Sequence, residues 1–250
     1  MSSSHSKSKK RVVLVGDDGC GKTALAVKFT ENFFIDGMSS AHSFDFYQTD
    51  FKTHKGSCKV TVQDTSAAFE DAHHRALTYK GCDAVIVCFD LSNRATLESI
   101  ERRWMRELKE HCPTTPVYIV GCKRDAMCNS GSCTCSRCCS DLDEKELTDI
   151  IQRTGAVAYG ECSAAMESED GVDALFQFVL ETCTQKRLNG AKKIISSIKK
   201  QSKRLKRRLS FVMVWASRPN PFSSYQTPIF YEHFSRYENE HLQSQCTDWP

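Results

Sequence analysis

Gly16-Asp17-Asp18-Gly19-Cys20-Gly21-Lys22-Thr23 constrains this chain more than any other stretch of it. It fits the pattern G-x-x-x-x-G-K-[ST]. It stands directly after the apolar run Val12-Val13-Leu14-Val15 and directly before Lys22 to Phe29, which has helical character. A β-branched run of that kind reads as a buried strand, so the loop joins a strand to a helix. Glycines let successive main-chain N–H groups turn inward around phosphates, and the helix N-terminus adds a favourable dipole. Lys22 is placed to reach the β- and γ-phosphates, and the Thr23 hydroxyl to ligate Mg²⁺. Gly16 to Thr23 and the adjoining Ala24 are therefore candidate contacts for a nucleoside triphosphate. A chance glycine-rich turn is the alternative, and the strand–loop–helix context argues against it.

The remaining chain supplies the rest of an α/β sheet. Phe44 to Phe51 and Cys58 to Gln63 are strand-like, with a turn around Lys55-Gly56 that suggests an antiparallel hairpin. Ala84 to Phe89 is continuously apolar, as expected of a strand covered on both faces. From Thr96 the period changes, and Leu97, Ile100, Trp104 and Leu108 line one helical face. Val117 to Val120 is a further buried strand, Asp141 to Arg153 a helix, and Val157 to Glu161 a last short strand. Val172, Leu175, Phe176 and Val179 mark a closing helix. Strands alternating with helices predict a mainly parallel sheet covered by helices on both faces, with ligands beyond the carboxyl ends of the strands. Residues 1–10 read as a disordered leader, 11–187 as the domain and 188–250 as a tail.

Charge and cysteine usage narrow the function classes. The formal net charge is +3, yet nine Lys/Arg and no acid fall between Ala191 and Leu209. The remainder is therefore acidic, and a nucleic-acid footprint over the domain is not expected. No apolar run approaches the roughly 18 residues of a membrane span. The polar, basic start lacks the apolar stretch of an export signal. The 14 cysteines then read as reduced thiols of a cytoplasmic protein.

Three further ordered motifs make a family recognisable. Asp64-Thr65-Ser66-Ala67 occupies the place of a D-x-x-G segment after the hairpin. Trp104 to Lys109, Cys112-Pro113 and Gly121-Cys122-Lys123-Arg124-Asp125 form a run into a base-recognition strand. Glu161-Cys162-Ser163-Ala164 resembles a final base-contacting loop. With the phosphate loop, residues 11–187 resemble the Rho family of Ras-like small GTPases, most of all the hydrolysis-deficient, GTP-bound Rnd subgroup. The resemblance implies a P-loop NTPase G domain with a six-stranded, mainly parallel sheet. It also implies GTP or GDP with Mg²⁺ as ligands, and a monomer. By position, Asp125 would accept hydrogen bonds from guanine N1 and N2, a contact adenine cannot satisfy. Lys123 would lie along the base and loop, the Ala164 N–H would meet guanine O6, Cys122 and Ser163 would join the GTP-binding residues, and Asp64 would hold Mg²⁺ through water. Effectors would dock around Phe44, Asp45 and Tyr47, with outputs to the actin cytoskeleton or adhesion.

The departures from that pattern fall on hydrolysis and switching. Asp18 stands where glycine is usual, placing a carboxylate beside the γ-phosphate. Ala68 replaces the glutamine that positions the attacking water, and Ala67 replaces the D-x-x-G glycine. His42 sits at the threonine that ligates Mg²⁺, with Ser40 or Ser43 as substitutes if the loop shifts. Slow hydrolysis with retained binding is the favoured expectation. A working GTPase cycle and a nucleotide-free scaffold are the rivals.

Two further segments stay open. Cys128, Cys133, Cys135, Cys138 and Cys139 lie in a cysteine-rich loop, 126–140. Zinc, acylation, oxidation and an ordinary surface loop compete there, and the surface loop is favoured because the pairs lack the long separation of zinc modules. The basic run Lys192 to Arg208, with Ile194, Ile198, Leu205 and Leu209 at helical spacing, suits an anionic membrane surface. A nuclear-import signal and a solvated charge run are its rivals. Thr247 stands where a prenylation box needs cysteine, so attachment is expected to be electrostatic and peripheral.

Overall fold

The computed structural model describes residues 8–37, 44–54, 56–127, 144–166, 170–183 and 214–215. Along the chain run β1 (Ser8–Gly16), α1 (Lys22–Glu31), β2 (Phe46–Thr53), β3 (Gly56–Asp64), α2 (Ala72–Thr78) and β4 (Ala84–Asp90). Then come α3 (Arg94–Ser99), a π turn (Ile100–Trp104), α4 (Met105–His111), β5 (Val117–Cys122), α5 (Glu144–Thr154), β6 (Ala158–Glu161), α6 (Asp170–Cys183) and β7 (Val214–Trp215). The sheet order is β2-β3-β1-β4-β5-β6-β7. β1 pairs in parallel with β3 and β4, and β5 in parallel with β4 and β6. The β2–β3 hairpin is antiparallel, as its turn predicts.

Alternation along β1 divides the core. Val12 and Leu14 face one side, with Leu25, Ala26 and Phe29 of α1 and Phe176 and Val179 of α6. Val13 and Val15 face the other, with Leu97, Ile100, Trp104 and Leu108 and with Ile150 and Ile151 of α5. Phe29 stacks on Phe176, ring centroids 3.7 Å apart, and this contact seats the helix that follows the phosphate loop. β4 is buried at every position, as its unbroken apolar run requires.

The expected six strands, β1 to β6, form the mainly parallel sheet, and Val214–Trp215 adds a short seventh by pairing antiparallel with Ala158 and Tyr159 of β6; two other expectations are corrected. A two-residue strand is too short to leave a period in the sequence, and it covers an edge that β6 would otherwise expose. β1 begins at Ser8, inside the stretch read as leader, because Ser8 to Lys10 pair with Cys58 to Val60 of β3. The face of Leu97, Ile100, Trp104 and Leu108 is fully formed, but a π turn interrupts the helix that carries it. His42, Ser40, Ser43, the cysteine-rich loop and the basic tail lie outside the described residues.

Candidate functional site

The phosphate loop turns on glycine geometry. Gly16 has φ 147°, and a Cβ there would lie 2.2 Å from the Cys88 carbonyl oxygen. Gly21 caps α1 with φ 102°, and a Cβ there would meet the Cys122 Cβ at 3.1 Å. Substitution at either position therefore meets both a wall and an unfavourable backbone region. Lys22 is 5% exposed and folds back over the loop, its Nζ donating to the carbonyls of Gly16 at 3.0 Å and Asp17 at 2.9 Å. The Thr23 hydroxyl donates to Oδ2 of the fully buried Asp64 at 2.5 Å. Two hard oxygen groups from α1 and β3 thus share one point, a donor set suited to Mg²⁺.

A cavity of about 590 Å³ opens beyond the carboxyl ends of the strands. Asp18, Lys22 and Thr23 line its phosphate end, together with Gly19, Gly21 and Ala24. Cys122, Lys123, Asp125 and Ala164 line the end toward β5 and β6. Lys123 adopts a left-handed backbone, φ 59°, which turns the chain into the short 3₁₀ helix that carries Asp125. Its Nζ pairs with Asp90 Oδ2 at 2.7 Å. The Ser163 hydroxyl donates to Asp125 and accepts the N–H groups of Ala165 and Met166, both at 3.2 Å. A carboxylate held this way at a cavity wall can accept two neighbouring N–H donors from a planar base.

Some sequence candidates are placed elsewhere. Asp17 turns its carboxylate away from the cavity, accepting the Trp104 indole N–H at 2.9 Å. Cys20 is wholly buried, its thiol donating to the Cys88 carbonyl at 3.4 Å. In β2 the two-residue alternation turns Tyr47 toward the core, so the exposed aromatic is Phe46, 61% accessible, rather than Tyr47. Phe44 stands edge-on to His74, ring centroids 6.1 Å apart, and Asp45 is exposed. Among the described residues, no group of three or more His, Cys, Asp or Glu is placed to hold a metal ion.

Sequence reasoning missed a clamp on the segment after Asp64. Arg75 of α2, 0% exposed, donates from Nη1 to the carbonyls of Ser66 at 3.0 Å and Ala68 at 2.6 Å. Its Nε and Nη2 reach both oxygens of Glu107 on α4, each at 2.9 Å. Arg103 holds the Ala67 carbonyl and stacks between the Phe69 and Trp104 rings. Burial opposes the Arg75 charge, but the Glu107 contacts outweigh it and raise the guanidinium pKa. Burial likewise opposes ionisation of Glu107, whose carboxyl is nonetheless held below its ordinary range by bonds from Arg75 and Tyr79. Ala68 lies in this clamped segment with its N–H bonded to Ser66 Oγ at 3.1 Å. Phe34 and Ile35, exposed just after α1, also line the cavity; an apolar Phe33-Phe34-Ile35 run outside any core period was their signal.

Residues 11–185 match the Ras family. Over 180 residues the chain is 31% identical to the Rho-related GTP-binding protein RhoE of Homo sapiens, with 71% of this chain and 73% of that protein covered. The RhoE proteins of Mus musculus and Sus scrofa match to the same extent.

Proposed function

From the premise that the chain belongs to the Ras family, on its Rho-related branch, we propose that it holds GTP with Mg²⁺, hydrolyses it slowly and presents a long-lived active face to effectors. One feature carries the reading: Lys22, Thr23 and Asp64 are gathered at the phosphate loop, while alanine stands at position 68, where the family resemblance expects the water-positioning glutamine. Main-chain N–H groups of the loop and the Lys22 ammonium bind and orient the triphosphate. Thr23 and Asp64 would hold Mg²⁺, which would supply neutralisation of phosphate charge. Ala68 has no side-chain acceptor to orient a water, and its N–H is engaged by Ser66. The Asp18 carboxylate at the phosphate end of the cavity opposes further negative charge gathering there. Arg75 and Arg103 fix the carbonyls of Ser66 to Ala68, which restrains the segment that would have to move with nucleotide state.

The nucleotide carried by freshly purified full-length protein is expected to be mostly GTP, read by denaturing the protein and chromatographing the released ligand. Mostly GDP would establish a cycling GTPase in its place. No nucleotide would establish a scaffold, the outcome that Asp18 favours by repelling the γ-phosphate.

The basic run offers a second contact, with anionic membrane. Nine Lys/Arg at about 1 kcal/mol each near such a surface suffice for reversible attachment. Deleting Lys192 to Arg208 is expected to abolish co-sedimentation with phosphatidylserine vesicles. Unchanged sedimentation would assign the run to another role, nuclear import among them.

A further inference from the structure

Four cysteines meet behind the cavity: Cys20 of the phosphate loop, Cys88 of β4, Cys122 at the end of β5 and Cys162 just after β6. Only two of them line the cavity, Cys122 and Cys162. The parallel β5–β6 ladder pairs Val120 with Gly160 and Gly121 with Glu161, so its next step sets Cys122 beside Cys162. The main chain keeps that step closed, since the Cys162 N–H donates to Gly121 O at 2.9 Å and the Arg124 N–H to Cys162 O at 3.2 Å. Neighbouring parallel strands lie about 4.8 Å apart, inside the Cα separations that a disulfide spans. Residues paired across a parallel ladder also project to the same face. Each thiol perturbs the other, and both stand on the wall of one cavity.

We propose that Cys122 and Cys162 form a reversible disulfide that switches the nucleotide site off. The oxidant is a hydroperoxide. The Cys122 sulfur attacks the distal peroxide oxygen, forming S–O as O–O breaks, and the departing alkoxide takes a proton to leave as alcohol. The Cys162 thiol then attacks the Cys122 sulfur, forming S–S as S–O breaks, and its proton passes to the departing hydroxide, which leaves as water. Two thiols and one hydroperoxide give one disulfide, one alcohol and one water. A dithiol reverses the bond by exchange. Hydrogen bonds from Cys162 and Cys88 hold the Cys122 thiol lowest of the four, which suits it to the first attack. The bond to Cys122, and then burial, raise Cys88 and Cys162.

The switch reaches the ligand through two contacts. Gly21 of the phosphate loop rests on the Cys122 Cβ, and Lys123 and Asp125 follow directly in the chain. Drawing Cys122 toward Cys162 displaces the support of the phosphate loop and the base-contacting turn together. Both residues are nearly fully buried, at 4% and 3% exposure, and both line the cavity, which gives a peroxide its path to them among the described residues. A seated nucleotide therefore shields the pair, and the nucleotide-free protein is the oxidisable form.

The effect on binding rests on the GTP reading, whereas formation of the bond does not. The full chain, stripped of nucleotide, is treated with hydrogen peroxide and alkylated. Fragment-ion mapping then assigns each disulfide, which separates this pair from the cysteines at 128–139. A Cys122–Cys162 bond is expected, formed more slowly with GTP present. Affinity for a fluorescent GTP analogue is expected to fall at least about tenfold, the loss of roughly one good polar contact, and to return with dithiothreitol. Cys162→Ser removes both the bond and the redox effect on affinity, Cys88→Ser retains the bond, and Cys162→Ala replaces the serine variant should that not fold. Absence of the bond, sulfenic or sulfinic acids as end products, or a bond that leaves affinity unchanged would overturn the proposal. Reduced protein that binds no guanine nucleotide sinks the GTP reading alone, because the mapping still reports on the bond.

Discussion

Lys22→Met is expected to weaken GTP binding by about 100- to 10,000-fold, the loss of two charge-assisted hydrogen bonds at roughly 1.5–3 kcal/mol each. The side chain is 5% exposed and lies over the loop with its ammonium on two carbonyls, those of Gly16 and Asp17. Those carbonyls hold the ammonium at the phosphate end of the cavity before any ligand arrives, so little ordering is left to do on binding. Methionine keeps the length and removes the charge. The thermal midpoint without nucleotide should stay close to that of the parent protein, because water in the cavity can replace the ammonium on both carbonyls. Titration with a fluorescent GTP analogue, beside a nucleotide-free melting curve, separates the two effects. Affinity within threefold of the parent, allowing about 0.7 kcal/mol, would mean that the loop does not grip a triphosphate.

How far the sequence could be read followed what each element depends on. The phosphate loop was legible because its requirements are local: a strand, glycines with positive φ, and a helix that starts at Lys22. β4 and the helical face from Leu97 to Leu108 were legible because burial imposes a period on side-chain type. α2 left no such pattern, since its buried residues are Arg75 and Thr78. A buried arginine contradicts hydrophobic patterning and makes sense only once Glu107, far along the chain, is brought against it. The same limit hid the Asp17–Trp104 bond, which spans 87 residues. It also hid the role of Tyr47, where one step of register decides between core and surface. The cysteines at 20, 88, 122 and 162 looked like unrelated thiols because only the strand order gathers them.

Arg75→Ala is expected to cost about 3–5 kcal/mol of stability, the usual penalty for removing one partner of a buried ion pair, and to lower the thermal midpoint by roughly 6–20 °C. α2 has seven residues, too few to hold itself in water, and Arg75 joins it to α4 and to the segment after Asp64. Truncation leaves the Glu107 carboxylate, 13% exposed, without its guanidinium, and the Ser66 and Ala68 carbonyls without their donor. Lysine at the same place restores charge but not the two-pronged geometry, so Arg75→Lys should fall between parent and alanine variant. Acidity supplies the decisive control. The Glu107 carboxyl is held below its ordinary range in the folded protein, so its contribution is fully present above its unfolded pKa of about 4.3. It is lost as pH falls through the lower folded value. In the alanine variant the largely buried carboxyl keeps the Tyr79 hydrogen bond but loses both guanidinium contacts, so its protonation costs far less. The gap in midpoint between the parent and Arg75→Ala must therefore narrow below about pH 4.3. Melting curves from neutral pH to about pH 3 decide the matter: a gap that stays constant across that range would place the stabilisation in the stacking on Trp104 rather than in the ion pair.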